Sequence, residues 1–356
     1  MNSRLNSLNN LLDGPVLVTG HTGFKGTWLT LLLEELGVEV VGYSLAPEVD
    51  SLYSRIGRKG KILEEYADIR NLSSIQNFIM RTKPVAVFHL AAQPLVVQSY
   101  KSPRETFETN VLGTVNLLDA AFQANSVKAV IVITTDKVYR NDNSGFAFKE
   151  SHALSGKDPY SASKVGSEAA IGAWQQIAKS VGGPKVVATR AGNVIGGGDW
   201  AKDRLLPDLI RGFSQREIVQ VRNPASTRPW QHVLDPLIGY LLTLQEVLKG
   251  KQIEAINFGP RETSLAVSEV VEIAKKSWGE HVRVKLERPS NSIYEASRLE
   301  LDSLLAKELL DWDPVWDQKS AIQATTEWWK GIFLKEKHPL ELCQRDIQFA
   351  LNPTLL

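Results

Sequence analysis

A glycine-rich turn between an apolar run and a helical pattern is the feature that most constrains the fold. The apolar run covers residues 15–19 and ends at Gly20, and apolar residues then recur at helical spacing from Phe24 to Leu36. Such glycines allow a tight turn and a close approach of a dinucleotide to the backbone, with its phosphates at the helix N-terminus. We therefore predict a dinucleotide site, with a plain tight turn as the alternative. The expected contacts are Gly20, Thr22, Gly23, Phe24, Lys25 and Gly26.

Strand and helix patterns alternate through the first half of the chain. Further strands are predicted at residues 38–43, 61–67, 85–90, 128–133 and 185–190, and the wholly apolar fourth strand is typical of a sheet covered on both faces. This order predicts an α/β fold with a doubly wound parallel Rossmann sheet. Irregular, basic segments begin after Arg190. We predict a Rossmann domain over residues 1–190 and, over 191–356, mainly a smaller, mixed substrate-binding lobe, with the chain crossing back to the sheet.

The end of the second strand does not decide between NAD and NADP. An acidic residue there would hold the adenosine ribose hydroxyls, but the sequence has Ser44 followed by three uncharged residues before Glu48. Lys25 could meet a 2′-phosphate or could be solvated. Both cofactors stay open on these residues alone.

Two other strand ends supply cofactor candidates. Asp68 can accept a hydrogen bond from the adenine amino group while Ile69 lies on the ring, although Asp68 could equally cap the next helix. The fourth strand opens at Leu90 into Ala91 and Ala92, whose small side chains leave room for ribose and nicotinamide.

A tyrosine and a lysine begin a long helix after the fifth strand. Asp158 and Pro159 are typical of an N-cap and a first helical residue, and Tyr160 and Lys164, four residues apart, share a face. The spacing alone is common, but this position favours a catalytic pair. Lys164 would supply a charge that favours tyrosinate, so that Tyr160 accepts a hydroxyl proton, and Thr135 would hydrogen-bond the same hydroxyl.

Asp136 and Lys137 follow the fifth strand directly. Ligands of such sheets bind beyond the carboxyl ends of the strands, so this pair is a functional candidate. An ordinary surface pair is the alternative.

Composition excludes several other classes of function. The 356 residues carry a net charge of +1 with acidic and basic residues interspersed, so we expect neither nucleic acid nor a membrane as partner. No apolar run has the length of a membrane span, and there is no metal-ligand spacing. The single cysteine, Cys343, permits no intrachain disulfide and favours a cytoplasmic protein. It lies in a charged tail after the last helical pattern, where we expect a buried or unreactive thiol.

Arginines in the second half could recognise a diphosphate. The guanidinium fork matches phosphate oxygens, and arginines separated in sequence could converge on one cleft. The candidates are Arg204, Arg228 and Arg261.

On these motifs the chain resembles the extended short-chain dehydrogenases over nearly its whole length and, within them, the CDP-glucose 4,6-dehydratases. The tyrosine–lysine pair is generic to the superfamily. More selective are the Asp136-Lys137 dipeptide, the Gly-Gly-Gly-Asp-Trp stretch at 196–200 and the Arg-Pro-Trp-Gln-His stretch at 228–232. Relatives acting on dTDP-glucose have Asp-Glu where this sequence has Asp136-Lys137.

The resemblance implies a redox-neutral elimination on a nucleotide sugar, with NAD retained through the cycle. Tyr160, helped by Thr135 and Lys164, would remove the 4-hydroxyl proton; Lys137 would take the C5 proton and Asp136 would protonate the departing 6-hydroxyl. Homodimers joined through helices that include the Tyr160 helix are also implied, as is a product for the deoxysugars of surface polysaccharides. Residues expected on the nucleotide-sugar side are Gln93, Asn193, Arg204, Arg228, His232 and Arg261.

Two other classes of function stay open. A nucleotide-sugar 4-epimerase, or a dehydratase for another nucleotide hexose, would keep Tyr160 and Lys164, although an epimerase has no use for the Asp136–Lys137 pair. A non-catalytic NAD-binding protein would keep the glycine turn without needing the catalytic residues together.

Overall fold

A seven-stranded parallel sheet forms the centre of the molecule. The computed structural model describes residues 5, 7–142, 145–262, 264–279, 282–287 and 299–353. Within them the strands are β1 (Val16–Thr19), β2 (Val40–Ser44), β3 (Leu63–Tyr66), β4 (Ala86–His89), β5 (Ala129–Ile133), β6 (Lys185–Ala191), β7 (Asn193–Ile195), β8 (Ile218–Arg222), β9 (Thr227–Arg228), β10 (Trp230–His232), β11 (Ala255–Phe258), β12 (Leu265–Ala266) and β13 (Arg283–Glu287).

The strand order of the central sheet is β11-β6-β5-β4-β1-β2-β3. In register, Val16 of β1 lies opposite Val40 on one side and Ala86 on the other. The chain thus reverses its direction of winding between β1 and β4, and such a switch point opens a crevice at the carboxyl ends of the strands.

Helices cover both faces of this sheet. Their bounds are α1 (Leu8–Leu11), α2 (Phe24–Glu35), α3 (Leu52–Arg55), α4 (Leu72–Thr82), α5 (Val96–Lys101), α6 (Pro103–Phe107), α7 (Gly113–Gln123), α8 (Pro159–Val181), α9 (Leu205–Gln215), α10 (Leu234–Leu248), α11 (Val267–Trp278), α12 (Leu304–Leu310), α13 (Gln318–Lys335) and α14 (Pro339–Leu351), with a π-helical turn at Glu108–Leu112 and a 3₁₀ turn at Asp136–Val138.

Alternate residues of the strands face two separate apolar cores. Val16 and Val18 pack with α2 and α10, whereas Leu17 packs with α4, α7 and α8. Burial of both faces is the reason why β1, β4 and β5 are mainly apolar along their whole length. The predicted doubly wound Rossmann sheet is confirmed.

The second half forms the smaller, mixed lobe, although β11 joins the central sheet beside β6. Three two-stranded sheets, β10-β7, β12-β9 and β13-β8, lie in it with α9, α11 and α13. The exact division into domains at residue 190 stays a prediction.

Cys343 lies in α14, so its expected place in a tail after the last helix is wrong. The predicted burial is confirmed, because its side chain is inaccessible and burial raises the pKa of the thiol. Among the described helices, none combines the length and apolar character needed to cross a membrane.

Candidate active site

The glycine turn between β1 and α2 is shaped to receive a ligand at the helix N-terminus. Gly20 has a φ of +73°, and a Cβ there would lie 2.8 Å from the backbone nitrogen of Ala91. A Cβ on Gly26 would come within 2.1 Å of the Gly20 carbonyl oxygen. Gly23 is the N-cap and provides no side-chain cap, so the first N–H groups of α2 keep their hydrogen-bonding capacity. These features fit a dinucleotide phosphate.

Hydroxyl groups occupy the end of β2, where an acidic residue is usual. The Thr22 and Ser44 hydroxyl oxygens are 2.8 Å apart, and Thr22 also donates to the Leu45 carbonyl at 3.0 Å. Thr22 therefore ties the glycine turn to β2.

Asp68 does not cap the helix that follows it. The N-cap of α4 is Asn71, and the Asp68 carboxylate instead accepts from the backbone N–H and the guanidinium of Arg70. The Arg70 charge and hydrogen bonds lower the pKa of Asp68. Ile69 is buried against Gly113, and contacts of Asp68 and Ile69 with adenine stay predictions.

Leu90, Ala91 and Ala92 follow β4 at the same sheet edge. The Leu90 N–H donates to the Thr19 carbonyl and the Ala91 N–H to the Thr19 hydroxyl, which holds this segment against β1. All three residues are partly exposed, as a cofactor contact requires.

The predicted N-terminus of the tyrosine–lysine helix is confirmed. Asp158 accepts from the Ser161 N–H at 3.0 Å and Ser161 bonds back to the Asp158 N–H, so that a capping box fixes the first turn. Tyr160 is 9% exposed and Lys164 is buried.

Lys164 is held against the end of β5. Its ammonium donates to the Ile133 carbonyl at 3.1 Å. Burial raises the pKa of Tyr160 to about 12, against the lowering effects of a Thr135 hydrogen bond and of the Arg204 charge. The Arg204 charge thus favours tyrosinate, and the predicted effect of Lys164 on Tyr160 stays a prediction. Burial lowers the pKa of Lys164 to about 8.

Sequence analysis missed a buried ion pair whose carboxylate favours the charged form of Lys164. Glu168 lies one turn further along α8, accepts from Thr134 at 2.6 Å and forms a bidentate pair with Arg190. Both partners are nearly inaccessible, and the Glu168 charge acts against the lowering of the Lys164 pKa. The i, i+4 spacing from Lys164 to Glu168 was the available signal.

Asn110 joins the loop after β4 to α8. Its side chain bonds both the N–H and the carbonyl of Gln93 and donates to the Ser163 hydroxyl at 2.8 Å. It lies in the π-helical turn, a feature that is frequent at functional sites. This turn interrupts the helical stretch between α6 and α7.

Asp136 and Lys137 are part of the cleft and not an ordinary surface pair. Asp136 is 3% exposed, and burial raises its pKa against the opposing charges of Lys137 and Arg228. The Lys137 ammonium lies 5.9 Å from the centre of the Tyr160 ring. A buried carboxyl with a raised pKa and a lysine therefore lie near the tyrosine.

Arg204 and Arg228, two of the six predicted substrate residues, lie near Tyr160 and Asp136, whereas the contact of Asn193 with substrate stays a prediction. Arg204 pairs with Asp199 at 2.9 Å and interacts electrostatically with Tyr160, and the Arg228 charge reaches Asp136. Asn193 begins β7, paired with Trp230 of the conspicuous 228–232 stretch.

The other three are placed differently. His232 is inaccessible and stacked on Trp316 with ring centres 4.1 Å apart, and burial lowers its pKa to about 3, so its predicted substrate contact is wrong. The Gln93 side chain bonds Leu95 of its own loop and Thr106 of α6, and its substrate contact stays a prediction. Arg261 is largely exposed and pairs with Asp313, and its substrate role stays a prediction.

Fold and site together define an extended short-chain dehydrogenase. The chain belongs to the family described as GDP-mannose 4,6 dehydratase, whose model matches residues 17–325.

Among known proteins, a CDP-glucose 4,6-dehydratase of Salmonella typhimurium is 42% identical over 349 residues, which cover 95% of this chain and 96% of the relative. A UDP-glucose 4-epimerase of Rhizobium meliloti is 27% identical, with 88% and 96% covered. The solved structure of MoeE5 in complex with UDP-glucose and NAD superposes with a TM-score of 0.77 at 25% identity, covering 89% of this chain and 98% of MoeE5.

Proposed function

We propose that this protein is an NAD-dependent CDP-glucose 4,6-dehydratase that converts CDP-glucose to CDP-4-keto-6-deoxyglucose and water. The observation that carries the proposal is the buried Asp136 carboxyl and the Lys137 ammonium beside Tyr160. Similarity to the Salmonella enzyme over nearly the whole chain supports it.

The glycine turn and the uncapped start of α2 would hold NAD, since the cradle around Gly20 and Gly26 has no room for side chains. When bound, NAD supplies a hydride acceptor and donor whose positive ring favours the ionised form of Tyr160. The protein residues supply the proton transfers and orient the sugar. NAD is favoured over NADP because the Lys25 ammonium lies toward α10, away from the ribose position at the end of β2.

We assign one residue to each proton transfer. Tyr160 accepts the proton of the 4-hydroxyl, and Thr135 and Arg204 stabilise the resulting charge. The 4-ketone acidifies C5–H, which Lys137 deprotonates. Asp136, which burial keeps in its protonated form to higher pH, donates its proton as the 6-hydroxyl leaves as water.

A substrate panel tests the proposal. Purified protein with catalytic NAD is incubated with CDP-, dTDP-, UDP- and GDP-glucose, and loss of water is measured by mass spectrometry. We expect dehydration of CDP-glucose alone. Dehydration of another sugar nucleotide would contradict the proposed preference for the cytidine base. A C4 epimer of UDP-glucose without loss of water would favour the epimerase alternative.

We further propose a homodimer joined through α8 and the adjoining α6 and π-helical turn. The α6 helix and the π-helical turn pack directly against α8. On them the side chains of Phe107 and Leu112 are 42% and 53% exposed. Leu112→Asp should weaken self-association at least about tenfold, because a charge would be buried at the interface. Light scattering across a concentration series measures this, with the exposed Leu304→Asp as control. A monomeric wild-type protein would contradict the proposal.

The cell compartment and pathway are also part of the proposal. Cytoplasmic action fits a chain with one cysteine, which is buried. The product would supply deoxysugars for surface polysaccharides such as lipopolysaccharide.

A further inference from the structure

Lys25 reaches from the glycine turn toward the catalytic residues. Its ammonium donates to the Tyr240 hydroxyl at 2.9 Å and lies 5.2 Å from the centre of that ring. Tyr240 is inaccessible on α10, a helix that contacts β5 and β6. The end of β2 is on the other side of β1, so the partly buried Lys25 ammonium lies away from the position of a ribose 2′-phosphate.

The charges around Lys25 are unbalanced. Lys164 of α8 and Arg204 before α9 both repel its ammonium, and only Asp136 after β5 attracts it. Arg204 is already paired with Asp199, and burial favours the protonated, uncharged form of Asp136. In the described part of the chain Lys25 forms no salt bridge, and its polar partner is the Tyr240 hydroxyl. Partly buried cations gathered in this way are stabilised by an anion.

We propose that Lys25 binds a diphosphate group within the active site, in the space that it shares with Arg204 and Lys164. This inference rests on the proposed function, which supplies two diphosphates, one in the dinucleotide and one in the nucleotide sugar. Lys25 extends from the turn that would hold the first and approaches the arginine expected to hold the second.

Binding should be coupled to proton uptake. Burial and the charges of Lys164 and Arg204 lower the pKa of Lys25 to about 7, so part of the population is neutral above pH 7. A bound diphosphate raises this pKa, because opposite charge favours the ammonium. Affinity should therefore be greatest below pH 7 and fall as the pH rises from 7 toward the higher pKa of the complex. Lys164 of α8 has a pKa of about 8 and could also take up a proton, whereas burial keeps the pKa values of Tyr160 and Tyr240 high. A Lys25 variant is therefore needed to show which lysine takes up the proton.

Calorimetric titrations of the full chain test the proposal. NAD, ADP-ribose and CDP-glucose are each titrated at pH 7.5 in two buffers of different ionisation enthalpy. We expect net proton uptake for the wild type. Lys25→Met should remove the uptake and weaken the affected ligand about tenfold, as expected for one charge-assisted hydrogen bond. Weaker NAD and ADP-ribose identify the dinucleotide diphosphate, and weaker CDP-glucose identifies that of the sugar nucleotide.

Two further variants sharpen the test. Lys25→Arg keeps a permanent charge and should bind the ligand without proton uptake. This variant also keeps the proposal testable if the Lys25→Met chain does not fold. Lys337→Met removes an exposed lysine between α13 and α14 and should behave as wild type. Unchanged affinity and proton uptake in the folded Lys25 variants, or no uptake by the wild type with either class of ligand, would overturn the role of Lys25. A wild-type protein that binds neither class would contradict the proposed function instead.

Discussion

Tyr160→Phe is expected to lower kcat for CDP-glucose about 10³-fold, within the range that positioned acid–base groups contribute. The substitution removes only the phenolic oxygen, and the ring remains buried at the start of α8. Rapid mixing should then show no transient near-ultraviolet absorbance of reduced cofactor.

The matched control is Tyr100→Phe, which removes a hydroxyl from a 44% exposed tyrosine of α5. Both variants should keep the melting temperature and the NAD affinity of the wild type. Turnover of Tyr160→Phe within about twofold of the wild type would rule out Tyr160 as the proton acceptor.

The pH dependence of this step follows from the environment of the tyrosine. Burial raises the pKa of Tyr160 to about 12, so the base form is scarce at neutral pH before ligands bind. A base of raised pKa becomes available as the pH increases, so kcat should rise with pH up to the pKa of Tyr160 in the substrate-bound enzyme. Lys25 and Lys164, with pKa values near 7 and 8, lose charge in the same direction and would limit the rise.

The sequence pattern was sufficient for the parallel sheet and for the strand ends that carry the candidate site residues. Strand patterns ending in Gly20, Leu90 and Thr135 are enough, because the carboxyl ends of parallel strands share one edge. The helix N-cap at Asp158 was also predictable, because its signal lies in a few neighbouring residues. Short-range physical rules determine these features.

Contacts between side chains from distant parts of the chain could not be predicted from the sequence pattern. Lys25 bonds Tyr240, which is 215 positions away, and His232 stacks on Trp316. The motif around His232 was conspicuous, but a motif does not say which of its side chains faces the cleft and which faces the core. The two-sided burial of β10 decided that point.

Lys137→Ala is expected to lower the rate of dehydration by about 10²–10⁴-fold while the affinity for NAD changes little. The ketone at C4 makes C5–H acidic, but a base must still accept that proton. Lys137 is half-buried, with its ammonium 5.9 Å from the Tyr160 ring, whereas Asp136 favours the protonated form. Turnover in deuterated water, analysed by mass spectrometry, reports deuterium at C5 separately from loss of water.

Asp136→Asn separates the two roles. This variant keeps Lys137, so deuterium should still enter at C5 of the 4-keto sugar while loss of the 6-hydroxyl slows, because the amide cannot donate the acid proton. Lys137→Ala should block both events, and Lys101→Ala, at an exposed lysine of α5, should block neither. Deuterium at C5 with Lys137→Ala at the wild-type rate would exclude the lysine as base. Wild-type loss of water with Asp136→Asn would exclude the carboxyl as acid, because the two residues act on different atoms of the sugar.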